Sequence, residues 1–409
     1  MPPDRTHHAT APHSRRVSAA VILAGMTAAL HVGKLPPALP ALAEALHITL
    51  VQAGFLLSLV QLAGMSLAVF MGLLADGMGL KRSMVRGLLV LAVASGLGGL
   101  ATSVSALMVL RAFEGLGFLL VVLPAPALIR RVVLPERLPG MMGVWGAYMP
   151  TGTALALMLG SLFIPVWGWR SWWGWFACLS LVMAWWVHRT VPADPVGDAG
   201  VAGRMGQGAW MRLRRTLSAR GPWLVALTFG MYSGQWLAVV GFLPSIYAAA
   251  GVSGALLGVL TALAAAVNLT GNLASGRLLQ RGWAPRTTLW LGFGAMALGS
   301  TLAFAAFTEG APWLRYVSVL LFSAVGGLVP GTLFGLAVRL APGEQQVVTT
   351  VGWVQQLSAL GQFAGPPVAA ALAAQAGGWQ LTPWFTVSCC VVGAGLAWVT
   401  TRQLASQRV

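Results

Sequence analysis

The chain has 409 residues, of which 57% are hydrophobic and only 8% charged, and its formal net charge is +16. A soluble domain carries about 25% charged residues, so this composition, with a mean hydropathy of +0.78, excludes an ordinary soluble protein. A bilayer stabilises such a chain, and only helices or closed barrels satisfy the backbone there. The apolar runs are continuous and about twenty residues or longer, which predicts membrane-spanning helices rather than the alternating strands of a barrel.

In chain order, the apolar runs predict twelve membrane spans. We number them spans 1 to 12, at residues 17–37, 51–74, 84–104, 106–129, 139–162, 171–190, 222–247, 254–276, 287–307, 313–338, 347–374 and 381–401. The connection between spans 6 and 7 is the long one, and it is rich in arginine. The predicted organisation is an N-terminal tail at 1–16, a six-helix bundle at 17–190, a basic linker at 191–221, a second six-helix bundle at 222–401 and a tail at 402–409.

The basic residues are divided unevenly between the two sides of these spans. With the N-terminus placed inside, all of the 25 Lys and Arg residues except Lys34, Arg111, Arg170 and Arg315 lie on the inner side. Cytoplasmic loops of membrane proteins carry such an excess of positive charge. We therefore predict a bacterial inner-membrane protein with both termini in the cytoplasm. The lipid bilayer, and not nucleic acid, then accounts for the net charge.

The N-terminal region allows a second interpretation. Its basic leader, its apolar run and the sequence ALPALA at residues 38–43 resemble a secretory signal peptide with its cleavage site. Cleavage would remove span 1 and break the pattern of six spans followed by six spans.

The two halves of the chain contain similar motifs at corresponding positions. GLLADG at 72–77, after span 2, matches GNLASG at 271–276, after span 8. Pro124 in span 4 similarly corresponds to Pro330 in span 10. Parallel repeats of this kind are typical of transporters whose binding site lies at the midplane between the halves.

Several kinds of chemistry lack their motifs. The three cysteines, Cys178, Cys389 and Cys390, lie in apolar runs without a Cys-x-x-Cys pattern, so neither a disulfide framework nor a zinc site is predicted. No G-x-x-x-x-G-K-[ST] motif is present, so ATP is not the expected energy source. No catalytic set or metal-binding set stands out either, which disfavours a membrane enzyme. We expect no catalytic residue, metal or cofactor.

Two motifs resemble signatures of the major facilitator superfamily. GLLADGMGLKR at 72–82 resembles the family's loop signature G-x-L-A-D-x-x-G-x-[RK]-[RK], and it lies between spans 2 and 3, as in the family. RAFEGLG at 111–117 resembles the span-4 signature R-x-x-Q-G-x-G, with Glu114 in place of Gln. The resemblance covers essentially the whole chain. It implies an all-α membrane protein with the major facilitator fold, in which two six-helix bundles rock about a central cavity by alternating access. Such rocking needs no oligomer, so a monomer is expected.

A narrower resemblance is to the cyanate/nitroimidazole-type branch of the superfamily. It is carried by PAPALIRR at 124–131, GWR at 168–170 and GFLPSIY at 241–247. The antiporter signature of span 5 is only faintly echoed, in GAYMPTG at 146–152, which disfavours a drug/proton antiporter.

The loop motif predicts a conformational latch. Its members are Gly72, Asp76, Gly79, Lys81 and Arg82. In the family this loop closes the cytoplasmic side of the outward-open state, through a carboxylate that pairs with cations and with backbone N–H groups at a helix terminus. The alternative is an ordinary basic loop that contains one acid.

The first half places charges within its spans. Arg111 and Glu114 are three residues apart, hence on one helix face, and charges at membrane depth cost about 2.5–3.5 kcal/mol each. The functional interpretation is that Arg111 lines the cavity and binds an anion, with Glu114 as its partner or as a proton acceptor; the alternative is a local structural pair. His31 and Lys34 lie in the outer half of span 1 and would make the outer vestibule positive together with Arg111, unless Lys34 extends to the interface.

The remaining cavity candidates are neutral. They are Tyr148 in span 5, Tyr232, Gln235 and Trp236 in span 7, Asn268 in span 8, and Gln355 and Gln356 in span 11. Amides inside a membrane bundle are often inter-helix hydrogen-bond partners, worth about 0.6 kcal/mol each. The tryptophans at 167–175 are predicted to form an interfacial aromatic belt.

These patterns predict a secondary active transporter of a small organic or inorganic anion, with protons as the coupling ion. The charged first-half cavity favours an anion as the small-molecule substrate. The alternative function is multidrug or metabolite efflux by proton antiport, which predicts a cavity of aromatics and acids.

Overall fold

The computed structural model describes residues 11–68, 79–134, 141, 144–194, 210–343 and 346–406. Ten stretches within these residues are long and apolar enough to cross a membrane. One of them, Val144–Thr190, contains spans 5 and 6, because the backbone leaves the helical conformation at Gly168 (φ 77°, ψ 163°). Leu80–Gly99 is span 3, whose hydropathy is lowered by the basic residues in its first two turns. With spans 5 and 6 separated and span 3 added, the twelve predicted spans are all represented among the described residues.

The helices of the first half agree with the predicted spans to within a few residues, and several spans consist of two helical segments. Span 1 is Ala11–Gly33, span 2 begins with Leu50–Ser58 and the 3-10 turn Leu59–Gln61, span 3 is Leu80–Gly99, span 4 is Val104–Val122 and Ala125–Val132, and spans 5 and 6 lie within Tyr148–Thr190. A short helix, Leu39–Leu46, lies between spans 1 and 2.

The second half repeats this pattern. Span 7 is Arg220–Ala249, span 8 is Gly254–Ala266 and Asn268–Gln280, span 9 is Pro285–Phe304, span 10 is Pro312–Gly326 and Leu328–Arg339, span 11 is Val347–Ala376 and span 12 is Thr382–Ser406. Spans 4 and 10 are both interrupted, near Pro124 and Gly327. Proline lacks a backbone N–H and disturbs the preceding helical turn, which explains the break in span 4.

The spans run in alternating directions, so the ends of the bundle form two faces. We call the face at which span 1 begins the terminal face; there Ser14 Oγ donates to the carbonyl of Val132 at the end of span 4, at 2.5 Å. At the opposite face, Arg170 Nη1 donates to the carbonyls of Gly99 and Ala101 that join spans 3 and 4.

The two halves are in contact close to the opposite face. There span 2 packs on span 11, with Gly54 against the backbone of Pro366 and Pro367. Gln61 Nε2 donates to Gln362 Oε1 across the same boundary at 3.1 Å. Spans 5 and 8 also touch, where Gly258 lies against Met158.

A crevice of about 350 Å³ continues from these contacts toward the terminal face, between spans 5 and 8. Its lining is almost entirely apolar and comprises Pro150, Thr151, Ala154, Leu155, Met158, Val259, Ala262, Leu263, Ala266 and Leu269. The halves therefore touch near the opposite face, and this crevice lies between spans 5 and 8 on the terminal side of the Gly258 contact.

Candidate functional site

The four charged or titratable candidates of the first half form one cluster. His31 and Lys34 come from span 1, and Arg111 and Glu114 from span 4. All four side chains are buried, with at most 1% of each exposed. The sequence predicted that both pairs line the cavity, and the structure brings the two pairs together in the interior of the first half.

Glu114 lies at the centre of this charge cluster. Its Oε1 forms a short ion pair with Lys34 Nζ, and its Oε2 accepts a hydrogen bond from Arg111 Nη1 at 2.5 Å. His31 Nδ1 lies 3.7 Å from Oε1. The two carboxylate oxygens are thus divided between two cations that belong to different spans.

Lys34 is held by spans 3 and 6 as well. Its Nζ donates to Ser95 Oγ at 2.7 Å, and this hydroxyl donates to the Trp173 carbonyl at 2.8 Å. The ammonium lies 4.7 Å from the centre of a Trp173 ring and 5.6 Å from that of Phe176, distances typical of cation–π contacts. Trp172 Nε1 donates to the Lys34 carbonyl at 3.1 Å.

These contacts correct the predicted aromatic belt. Trp172 and Trp173 are 1% and 0% exposed and form part of the core around the charge cluster, and Trp169 is buried too. Trp167, at 62% exposed, fits the belt interpretation. The prediction was wrong for the buried three because the positions of the tryptophans along span 6 do not reveal which of them face the bundle.

Arg111 also connects span 4 to spans 1 and 2. Its Nη1 donates to the His31 carbonyl at 2.8 Å, and its Nε donates to the Leu56 carbonyl at 3.2 Å. Leu56 lies just before the 3-10 turn of span 2, where the helical hydrogen-bonding pattern changes. The spans approach closely because position 115 is glycine: an added Cβ would lie 2.4 Å from the Val60 carbonyl oxygen.

The charge cluster has more positive than negative charge. Lys34 and Arg111 share the single carboxylate of Glu114, so with His31 uncharged one positive charge is in excess. Within the part of the chain that the structure describes, Arg111 Nη2 is buried and has no hydrogen-bond partner. Burying an unpaired donor or an unneutralised charge is costly. A small anion would supply both the missing charge and the missing acceptor.

His31 is the second titratable group of the charge cluster. Its Nε2 lies 2.8 Å from Ser180 Oγ on span 6, and its Nδ1 faces Glu114 and Lys34. Both ring nitrogens therefore have polar neighbours, and the Ser180 hydroxyl can accept a hydrogen bond from Nε2.

In the second half, three of the neutral candidates form a buried hydrogen-bond network. Asn268 Nδ2 donates to Tyr232 Oη at 2.8 Å and to the Ser323 carbonyl at 2.9 Å, and Trp236 Nε1 donates to Ser323 Oγ at 3.1 Å. The network joins spans 7, 8 and 10.

The other neutral candidates lie apart from this network. Gln235 is buried, donates to the Met231 carbonyl at 3.0 Å and accepts a hydrogen bond from Cys390 on span 12. Tyr148 is half-buried and stacks on Trp145, with ring centres 4.4 Å apart. On span 11, Gln355 is exposed and Gln356 is half-buried. A substrate-binding role for these residues stays a prediction.

The predicted latch is described in part. Gly72 and Asp76 lie outside the described residues, as do residues 195–209 of the predicted linker. Gly79 has a φ of 80°, which favours glycine, and a Cβ there would lie 2.3 Å from Asp194 Oδ2. Lys81 and Arg82 follow in the first turn of span 3.

Asp194, which follows span 6, binds the start of span 3. Its carboxylate accepts hydrogen bonds from the backbone N–H groups of Lys81 at 3.1 Å and Arg82 at 3.2 Å, and it lies 3.5 Å from Arg131 Nη1. The sequence reasoning missed this residue. The available signal was an acid four residues after the end of span 6, in a chain with only 9 acidic residues.

Cofactor and metal sites were not expected from the sequence. Among the described residues, no group of three or more His, Cys, Asp or Glu side chains is placed to hold a metal ion.

Comparisons with known proteins agree with this architecture. The profile of the Major Facilitator Superfamily matches residues 17–366. A search of curated protein sequences finds no significant match. Among solved structures, an inward-facing, unoccupied bacterial homologue of the human lysosomal transporter Spinster is similar, with a TM-score of 0.79, 15% identity and coverage of 96% of this chain and 98% of the other. A D-xylose–proton symporter has a TM-score of 0.76 and 16% identity, covering 94% and 97% of the two chains. The E. coli xylose transporter in a partially occluded inward-open conformation has a TM-score of 0.72 and 15% identity, covering 95% and 98%.

The fold of two six-helix halves and the profile match define a polytopic membrane transporter rather than an enzyme. The chain belongs to the major facilitator superfamily, since the profile covers most of its length. A small-molecule substrate and a membrane location follow from that family.

Proposed function

We propose that the protein is a secondary active transporter that moves a small organic or inorganic anion across the bacterial inner membrane, with protons as the coupling ion. The observation that carries this proposal is the buried charge cluster, in which Lys34 and Arg111 share one carboxylate and Arg111 Nη2 has no partner among the described residues. An anion bound there would neutralise the excess charge in a medium of low polarity, where such pairing is strong.

The predicted orientation assigns each face of the bundle to one side of the membrane. If the terminal face is cytoplasmic, as the basic residues predict, the contacts between spans 2 and 11 close the outer side. The crevice between spans 5 and 8 then extends toward the cytoplasm. Rocking of the bundles at 17–190 and 222–401 would open the outer side. The loop with Gly72, Asp76 and Gly79 would latch the cytoplasmic side in that second state.

Proton coupling is proposed for the same site. Glu114 and His31 are titratable groups in direct contact with the cations that would bind the anion. A proton taken up here would therefore change the charge that the anion experiences.

The narrower resemblance to the cyanate/nitroimidazole-type branch supports a small solute. Its motif GWR at 168–170 lies where Arg170 binds the connection between spans 3 and 4, beside the end of span 6 that carries the buried tryptophans. Membership of this branch is part of the proposal.

The proposal is tested by uptake into proteoliposomes that contain the purified protein. Cyanate, nitrate and short carboxylates are offered with and without an inward proton gradient, and wild type is compared with Arg111→Ala. Arg315→Ala is the matched control, since Arg315 is partly exposed and bonds to Ala305 and Thr308 away from the charge cluster. We expect saturable uptake that the gradient increases, that Arg111→Ala abolishes and that Arg315→Ala retains. Equal uptake by wild type and Arg111→Ala would contradict the proposal.

A second candidate function is efflux of an apolar metabolite or drug by proton antiport. The apolar crevice between spans 5 and 8 favours it, because its lining offers burial to a hydrophobic solute and few polar partners. In the same vesicles this function predicts proton-driven movement of a lipophilic dye that Leu155→Arg, in the crevice wall, would reduce.

A further inference from the structure

The carboxylate of Glu114 has the contacts that a bound carboxylate ligand would have. Its two oxygens face two cations on different spans, Lys34 through Oε1 and Arg111 through Oε2. Charge-assisted contacts of this kind bind carboxylates strongly and in a defined orientation. The carboxylate is nevertheless part of the chain, because it belongs to a residue of span 4 that follows Arg111 by about one helical turn.

The surroundings of Glu114 contain cations and neutral groups. Span 1 contributes His31 and Lys34, and span 4 contributes Arg111. Span 3 contributes the Ser95 hydroxyl, which holds Lys34. Span 6 contributes Ser180, which is hydrogen-bonded to His31, and span 2 contributes the Leu56 carbonyl, which accepts a hydrogen bond from Arg111. Within the described chain, the groups that directly contact the carboxylate are therefore positive or proton-bearing, as an anion site requires.

We infer that Glu114 occupies, in the empty transporter, the place of the carboxylate of a small monocarboxylate substrate, and that a proton on Glu114 frees this place. The inference rests on the proposed function and specifies its substrate class and its coupling. A protonated Glu114 no longer neutralises Lys34 and Arg111. The substrate carboxylate then takes over their contacts, with Arg111 Nη2 as an additional donor.

The charge balance fixes the stoichiometry of this exchange. The empty cluster has two cations and one carboxylate, hence one excess positive charge with His31 uncharged. The added proton raises the excess to two, and the monoanion returns it to one. The proton alone would add a second uncompensated buried charge, which is costly, and the monoanion alone finds its place taken by the ionised Glu114. One proton and one monocarboxylate therefore bind together, and the pair crosses the membrane without net charge.

The shape of the site favours a planar anion with two oxygens on one atom, such as a carboxylate, over a linear anion. Lys34 and Arg111 contact different oxygens of one planar group. A carboxylate provides two such oxygens on one carbon, whereas linear cyanate presents one charged end at a time. Propionate and lactate are accordingly the probes that reproduce the side-chain terminus of Glu114.

Calorimetric titration of the full-length protein in lipid nanodiscs tests the inference on the wild type alone. Propionate and lactate are titrated in two buffers of different ionisation enthalpy at the same pH. We expect an uptake of about one proton per bound carboxylate and an affinity that falls about tenfold per pH unit as the pH rises, because binding is linked to that proton. Carboxylate binding without proton uptake would overturn the inference.

The variant Glu114→Gln tests whether Glu114 is the residue that takes up the proton. Glu114→Gln is neutral at every pH and resembles the protonated carboxyl, so we expect it to bind propionate without proton uptake and with an affinity independent of pH. The control Glu309→Gln replaces an acid that is 70% exposed and lies outside the charge cluster, and it should retain the proton uptake. If Glu114→Gln binds propionate and still takes up a proton, Glu114 is not the site and the inference fails.

The outcomes separate this inference from the proposed function. Arg111-dependent uptake of cyanate or nitrate, without binding of either carboxylate, would retain the anion transporter and overturn the substrate class. No Arg111-dependent uptake of any anion would remove the proposed function itself, and the inference with it.

Discussion

At the scale of single residues, position 114 separates this chain from the pattern it resembles. The family's span-4 signature has Gln there, and a neutral amide would leave Arg111 and Lys34 as buried cations without a counter-charge. Glu114 supplies that charge to both of them. The sequence showed Arg111 and Glu114 together in span 4, and it showed a second pair of polar residues in span 1. The pairing between spans 1 and 4 required the structure, because the rotation of each helix about its axis is not encoded in spacing.

The pairing of two buried cations with Glu114 predicts that a second substitution restores part of the stability that Glu114→Gln loses. Glu114→Gln should cost roughly 3–5 kcal/mol of stability, since it removes the partner of buried cations. Adding Lys34→Met to this variant removes one of the two stranded charges and should recover much of the loss. The measurement is the thermal unfolding temperature of the detergent-solubilised protein. Arg315→Met added to Glu114→Gln is the control, and an equal recovery there would contradict the pairing.

A second prediction at this scale concerns the contact between spans 2 and 4. Gly115→Ala places a Cβ 2.4 Å from the Val60 carbonyl oxygen, so the spans must separate and Arg111 must lose its reach to Leu56. We expect a lower unfolding temperature and a loss of Arg111-dependent uptake. Gly294→Ala in span 9 is the matched control, because an added Cβ meets no atom within 4 Å there. Similar effects of the two substitutions would exclude the close approach as the cause.

At the scale of helical elements, Asp194 fixes the start of span 3. The first N–H groups of a helix have no partner within it, and a carboxylate at this end also benefits from the helix dipole. Asp194 supplies the acceptors from beyond the end of span 6. The spans themselves were predictable from hydropathy, because each must cross the same hydrocarbon thickness. This long-range cap was not predictable from the sequence, because it joins residues that are more than a hundred positions apart.

Removal of this cap should loosen one end of one helix. Asp194→Ala is expected to cost about 0.5–2 kcal/mol, the usual worth of an N-terminal cap. Hydrogen–deuterium exchange should accelerate at Lys81 and Arg82, whereas the first turn of span 4, capped by Ser103, should exchange as in wild type. Unchanged exchange at Lys81 and Arg82 would show that Asp194 does not cap span 3.

At the scale of the whole molecule, contacts between the halves at one face define the state of the transporter. Gln61 and Gln362 join spans 2 and 11 there, and the helices pack through Gly54 and the two prolines of span 11. The duplicated halves and their connection were visible in the sequence as repeated motifs. The face at which the halves touch was not visible in the sequence, since it depends on how two complete bundles are tilted toward each other.

Tethering this face should stop transport. In a variant without Cys178, Cys389 and Cys390, we introduce Gln61→Cys and Gln362→Cys and link them with a short reducible bis-thiosulfonate. Uptake is expected to fall to the background of empty vesicles and to return after reduction, because rocking must separate these residues. Each single-cysteine variant treated in the same way is the control. Full transport by the linked protein would mean that spans 2 and 11 do not part during the cycle.

The excess positive charge belongs to one half of the protein, whereas the hydrogen-bond network of spans 7, 8 and 10 is built from neutral groups. A charge that moves through the whole transmembrane field exchanges about 2.3 kcal/mol with it per 100 mV. In the proposed cycle, the empty carrier and the carrier loaded with a proton and a monoanion would hold the same excess charge, so the work done in one crossing would be recovered in the return. Membrane voltage would then set how long the carrier faces each side, and the concentration gradients alone would set how far its substrate accumulates.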